Sequence, residues 1–133
     1  MIKEHYEAVK ALLPSTWRVY LGQVDASPKY PYVLIWGSPG TEFSETLDDQ
    51  PREFRADLKI TVAGQTFDST VGMLNAARQL LNRAKPVVEG RSCGRLKVQS
   101  LADIQPDNRI TIPGSNNHPL YAVDECEIWS DRI

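Results

Sequence analysis

The sequence is poor in the residues that usually carry chemistry. Its 133 residues include two histidines, His5 and His118, and two cysteines, Cys93 and Cys126. Neither histidine falls in a metal-ligand spacing such as H-E-x-x-H, so zinc binding has no support and both read as ordinary surface histidines. Two cysteines fall far short of a disulfide scaffold, and the plain reading is a pair of reduced thiols in a cytoplasmic protein. No apolar run approaches the roughly 20 residues that span a bilayer. Residues 1–10 carry Glu4 and Glu7 where a secretory signal would be apolar. Charge of one sign is not in excess either: 15 Lys and Arg face 17 Asp and Glu, for a net charge of -2. That balance argues against a dedicated nucleic-acid binder, which needs surplus cations to displace counterions from phosphates.

What is present suits one soluble domain spanning 1–133. Hydrophobic residues make up 41% and charged residues 24%, a globular composition. A chain of this length buries roughly two-thirds of its unfolded surface, enough for a core without staples. Ile2, Tyr6, Val9 and Leu13 recur at helical spacing and predict a helix over 2–13, stopped by Pro14. Trp17, Val19 and Leu21 alternate with Arg18 and Tyr20 in a short strand ended by Gly22. Tyr32 to Trp36 is apolar throughout and predicts a strand covered on both faces. Residues 37–53 form a long polar loop, of a length uncommon in a compact domain unless functional, or a hairpin extension whose strands are too polar to recognise.

The clearest strand is 54–62. Phe54, Ala56, Leu58, Ile60 and Val62 point one way, and Arg55, Asp57, Lys59 and Thr61 the other. A second helix follows over 69–84, with Asp68 or Ser69 as the expected N-cap and Pro86 beyond its end. Leu96 and Val98 begin a strand running toward Ile104. Pro106-Asp107-Asn108 is a turn, Ile110 and Ile112 alternate beyond it, and 113–119 is a loop. Leu120 to Trp129 is the last strand. Asp124 interrupts one of its faces, and the other mixes apolar and acidic residues, which suggests an edge or interface position. The expected class is α+β: a mainly antiparallel sheet of five to six strands with two helices packed on one face.

No constellation of catalytic residues emerges. Cys93 lies in Gly90-Arg91-Ser92-Cys93-Gly94-Arg95, where flanking arginines could lower a thiol pKa, but no catalytic-cysteine signature surrounds it and a basic turn is the plainer reading. Gly37-Ser38-Pro39-Gly40-Thr41 lacks the Gly-Lys-Ser/Thr ending of a phosphate loop. Asp124, Glu125 and Glu127 could attract a hard cation, yet strand alternation lets only Glu125 and Glu127 converge. One asymmetry does stand out. Residues 42–53 carry Glu42, Glu45, Asp48, Asp49 and Glu53 against Arg52, whereas 78–97 carry Arg78, Arg83, Lys85, Arg91, Arg95 and Lys97 against Glu89 alone. Separate patches of opposite sign suit a head-to-tail contact between copies, which closes into a ring if the rotation allows. Two unrelated solvated surfaces would give the same pattern.

Taken together, these features resemble the tail-terminator, or tail-completion, proteins of long-tailed bacteriophages. The likeness runs through the helix from Ile2 to Leu13, the Pro-Tyr-Val-Leu-Ile-Trp-Gly strand at 31–37 and the polar loop behind it. It continues through Phe54–Val62, the helix Ser69–Ala84 with its Leu80-Leu81 end, and the strand Leu120–Trp129. These are patterns rather than a diagnostic motif, and the 54–62 strand is longer and more regular than the family requires. The resemblance implies a structural virion protein that forms a ring, commonly hexameric, at the head-proximal end of the tail. Such a ring caps the tail tube, ends its polymerisation and offers the surface that docks to the head. Its expected partners are further copies of itself, the tail tube protein and a head-completion or connector protein, with DNA only passing through the lumen. No cofactor, metal or catalytic residue is implied. Carboxylates of 42–53 would either line the lumen, repelling phosphates, or mate with the basic segment of the next copy. The alternatives are another head–tail connector component, such as a head-closure or adaptor protein, and a small enzyme or ligand-binding domain, which would need a pocket with converging polar groups.

Overall fold

A computed structural model describes residues 2–43 and 53–133. The elements run α1 (Ile2–Lys10), β1 (Val19–Leu21), β2 (Tyr32–Gly37), β3 (Thr41–Phe43), β4 (Glu53–Gly64), α2 (Phe67–Leu81), β5 (Arg91–Cys93), β6 (Lys97–Pro106) and β7 (Leu120–Arg132). Among the described residues the fold is α+β: a mainly antiparallel seven-stranded sheet with both helices on one face.

Two long strands form the spine. β4 and β7 pair antiparallel from Glu53↔Asp131 to Gly64↔Leu120. β2 takes the other side of β4, and β3 continues that side lower down, with Glu42 opposite Phe54. β1 lies outside β2 and runs parallel to it, unlike the other pairings. β6 and β5 share the far side of β7, and β6 is broken by register shifts between Ser100 and Ala102 and between Ala102 and Gln105. β7 is therefore a central strand. Of the edge or interface position expected for 120–129, the edge is corrected. The mixed outer face of β7 arises because, among the described residues, no helix covers that side of the sheet, and Glu125 and Glu127 lie in register with Lys59 and Lys97 instead.

Alternation dictates which side is dry. Phe54, Leu58, Ile60 and Val62 of β4 are buried under the helices with Val33 and Ile35 of β2 and Cys126 and Ile128 of β7. Each such side chain contributes roughly 1.5–3 kcal/mol relative to leaving it in water. From α2, Leu74, Ala77 and Leu81 meet this surface. α1 contributes His5, Ala8 and Val9.

Element ends differ from the expected ones for local reasons. α1 stops at Lys10, and the chain tightens into i→i+3 bonds, Leu12 N–H to Val9 and Leu13 N–H to Lys10, which still deliver Leu13 to the core. The N-cap of α2 is Thr66, neither Asp68 nor Ser69: its Oγ1 accepts from Ser69 N–H at 3.1 Å. α2 ends at Leu81, not Ala84, because Asn82 is extended and Arg83 takes a left-handed φ of 67°. Ile110 and Ile112 lie in a loop, not a strand. Their N–H groups bond Asp107 and Asn117 within that loop. The polar 37–53 stretch does contain a strand, β3, as the hairpin alternative anticipated.

Candidate functional site

His5 is fully buried, which corrects the reading of a surface histidine. The inward face of α1 is set by His5, Ala8 and Val9, so the ring lands on Phe54 with centroids 4.1 Å apart. Its Nε2 lies 2.7 Å from Ser130 Oγ, and Arg91 Nε donates to the same oxygen at 2.7 Å. The Ser130 hydroxyl oxygen thus bridges the His5 ring and the Arg91 guanidinium. Arg91 also donates to the Ser130 carbonyl at 3.2 Å. The cluster ties α1, β5 and β7 together. It has the polarity of a catalytic relay but lies inside the core, where its work is to hold elements together. The sequence signal for it was faint: serine at 130 continues the inward alternation of β7.

The basic candidates divide into two groups. Arg78 is held by a bidentate pair with Asp124, at 2.7 and 2.6 Å, on the helix-covered face of β7. Hydrogen bonding to that carboxylate raises the guanidinium pKa above its ordinary value. This explains the acidic interruption at 124, and it puts Asp124 on the face opposite Glu125 and Glu127. Among the described residues no group of three His, Cys, Asp or Glu could hold a metal ion. Arg91 is occupied by Ser130.

The second group is exposed and locally braced. Arg83 N–H bonds Leu96 C=O, Leu96 N–H bonds Ala84 C=O, and Arg95 Nη1 donates to Arg83 C=O at 2.9 Å. Arg83, Lys85, Arg95 and Lys97 all face solvent from this segment beside the lower part of β7. On the acidic side, Glu42 is exposed on β3; Glu45, Asp48 and Asp49 lie outside the described residues. β3 and the basic segment thus occupy opposite edges of the sheet.

Neither thiol is activated by its surroundings. Desolvation pushes the Cys93 pKa up, and neighbouring Arg91 only partly opposes it. Burial pushes the Cys126 thiol to about 12. Both cysteines are free.

On the bare face of the sheet lies a groove of about 240 Å³, lined chiefly by Tyr30, Tyr32, Trp36, Ile110, Tyr121 and Val123. Two pairs of its polar groups bond each other. Trp36 Nε1 donates to Thr61 Oγ1 at 2.8 Å, and Arg109 pairs with Asp107 at 3.1 Å, holding the Asp107 carboxyl below its ordinary range. Its lining is chiefly aromatic and aliphatic and supplies apolar contact area. Sequence alternation alone could not reveal it, because Tyr30, Ile110 and Arg109 come from loops. Among the described residues no helix is long and apolar enough to cross a membrane.

No protein-family model matches the sequence, and no curated protein matches it. Among solved structures, the fold is similar to that of a chain in the virion of a native gene transfer agent particle. The TM-score is 0.53 at 15% sequence identity, over 93% of this chain and 90% of that one. At that identity the likeness is one of fold.

Proposed function

We propose that this protein is a structural subunit of a phage-like virion, and more specifically a tail-terminator-like protein that forms a ring at the head-proximal end of a tail. The observation that carries the reading is the fold shared over nearly the whole of both chains with a component of a gene transfer agent virion. The sequence resemblance points the same way from independent features. The site geometry is compatible: thiols with raised pKa values, a histidine sealed in the core, and solvent-facing charge of opposite sign on opposite edges. Opposed patches of this kind build heterologous contacts, which close into rings. The ring caps the tail tube, stops its growth and presents a surface to the head.

Light scattering across a concentration series, with negative-stain imaging, tests the ring directly. Closed rings are expected, alone or on added tail tube. Persistent monomers under both conditions would refute ring formation. Co-purification with tail tube protein separates a terminator from a head-closure or adaptor protein, which would instead bring down the head-side partner. If the acidic segment mates with the basic one, reversing Glu45, Asp48 and Asp49 to Lys abolishes rings and high salt weakens them. Rings that form normally after that reversal leave the carboxylates to the lumen.

A further inference from the structure

The register across the lower end of the sheet carries one more step. Glu42 of β3 is opposite Phe54, Phe54 is opposite Ser130, and Ser130 is opposite Cys93 of β5. The next row runs Phe43, Glu53, Asp131, Ser92 through the same four strands. Here the molecule is a four-stranded antiparallel ribbon, β3-β4-β7-β5. Among the described residues its two outermost strands each pair on one side only, and they stand at the same height.

We propose that β3 of one copy and β5 of the next form the seam between subunits, joining two sheets edge to edge; this deepens the ring reading and rests on it. Strand direction favours it. β3 is antiparallel to β4, β4 to β7 and β7 to β5, so β3 and β5 run oppositely. A second copy set beside the first in the same orientation therefore brings β5 antiparallel to β3, the pairing that gives straight hydrogen bonds. The backbone hydrogen bonds around β5 agree. Ile133 N–H to Gly90 and Gly94 N–H to Trp129 alternate along the ladder so that Ser92 turns its backbone groups to β7 and Cys93 turns its own outward.

Charge fits as well. Residues opposite each other share a face, so Glu42 and Cys93 both lie on the helix side of the sheet, with Phe54 and Ser130. Across the seam, Glu42 of one copy shares a row with Cys93 of the next. Arg91 of that copy is held by Ser130, so the exposed Arg95, two residues along from Cys93, supplies the opposite charge at a diagonal that long side chains bridge. The reverse contact, β3 to β3 or β5 to β5, would set like charges together. An edge only three residues long also limits indiscriminate pairing, which leaves charge to choose the partner.

The test is a cross-link. In a Cys126→Ala background, Glu42→Cys places a thiol in the row of native Cys93. Mild copper–phenanthroline oxidation of assembled protein should give a ladder of covalent oligomers on a non-reducing gel. Thr41→Cys, on the opposite face, should give none. Wild-type protein provides a second measurement: amides of 41–43 and 91–93 should exchange at least tenfold more slowly in the assembly than in the monomer. Assemblies with neither the ladder nor that protection overturn the seam and leave the ring reading standing. Failure to assemble, alone or on tail tube, overturns the ring reading and the seam with it.

Discussion

The pair between Arg78 and Asp124 gives the sharpest prediction about stability. Asp124 is 3% exposed, and both of its oxygens accept from the guanidinium at 2.6–2.7 Å. Arg78→Ala strands that carboxylate under α2. Breaking a buried pair from one side costs about 3–5 kcal/mol. The Arg78 side chain keeps 40% of its surface in solvent, so water can enter the vacated space and the cost falls at the lower end, about 3 kcal/mol. For a chain of this size that lowers Tm by roughly 12 °C, at ~4 °C per kcal/mol. Thermal unfolding followed by circular dichroism reads it out. Lys85→Ala, exposed on the same basic segment, should stay within about 0.5 kcal/mol of wild type. The double change Arg78→Met with Asp124→Leu removes charge from both sides and should recover most of the loss, as apolar replacement of a buried pair commonly does. A single variant that melts with wild type but fails to assemble would refute the argument, because Arg78 would then be acting on a neighbour.

Gly94 sits under Trp129, where a Cβ would come within 2.1–2.3 Å of the indole; Gly94→Ala should displace that ring and change tryptophan fluorescence. An unchanged spectrum would argue that the indole does not rest there. Leu58, fully buried at the centre of the sheet, should cost about 2–5 kcal/mol as Leu58→Ala in denaturant titration. Cys126, raised from 9.0 to about 12, should resist iodoacetamide at pH 8 until the protein unfolds, while half-buried Cys93 reacts slowly. The same shift predicts an alkaline limb. A thiol whose folded pKa lies above its unfolded value stabilises fully below pH 9 and loses that contribution as pH rises toward 12. Desolvation raises Tyr6, Tyr30 and Tyr32 in the same direction. Tm should fall above pH 9, and less steeply in Cys126→Ala.

The elements that announced themselves in sequence were those with an uninterrupted period. The β4 pattern from Phe54 to Val62 placed both its strand and its buried face correctly, because nothing polar breaks the inward row. The α2 stripe gave the helix but not its cap, since Thr66 acts through its hydroxyl position and not through periodicity. β7 was harder. Asp124 and Ser130 lie on its inward face and look like interruptions until Arg78 and His5 are seen to satisfy them. Likewise His5 and Ser130 lie 125 residues apart, and no local rule links them. Of the charged positions in the two patches, Arg78 and Arg91 make internal bonds, whereas Arg83, Lys85, Arg95, Lys97 and Glu42 face solvent. Glu45, Asp48 and Asp49 lie outside the described residues. Charge clustering alone cannot tell a guanidinium aimed inward from one aimed outward.

The position of β7 in the sheet has a consequence for how the protein is made. β4, β5 and β6 all pair with it, and α1 is tied to it through His5 and Ser130. Synthesis delivers β7 after every element it must bind. Until then β4 presents an open edge, and the histidine of α1 lacks its hydroxyl partner. Most contacts that close the sheet span long stretches of sequence, a topology that folds in milliseconds to seconds rather than microseconds. Folding of this chain is therefore expected to complete only once β7 has left the ribosome. A nascent chain released before then would expose the edge most prone to the wrong partner.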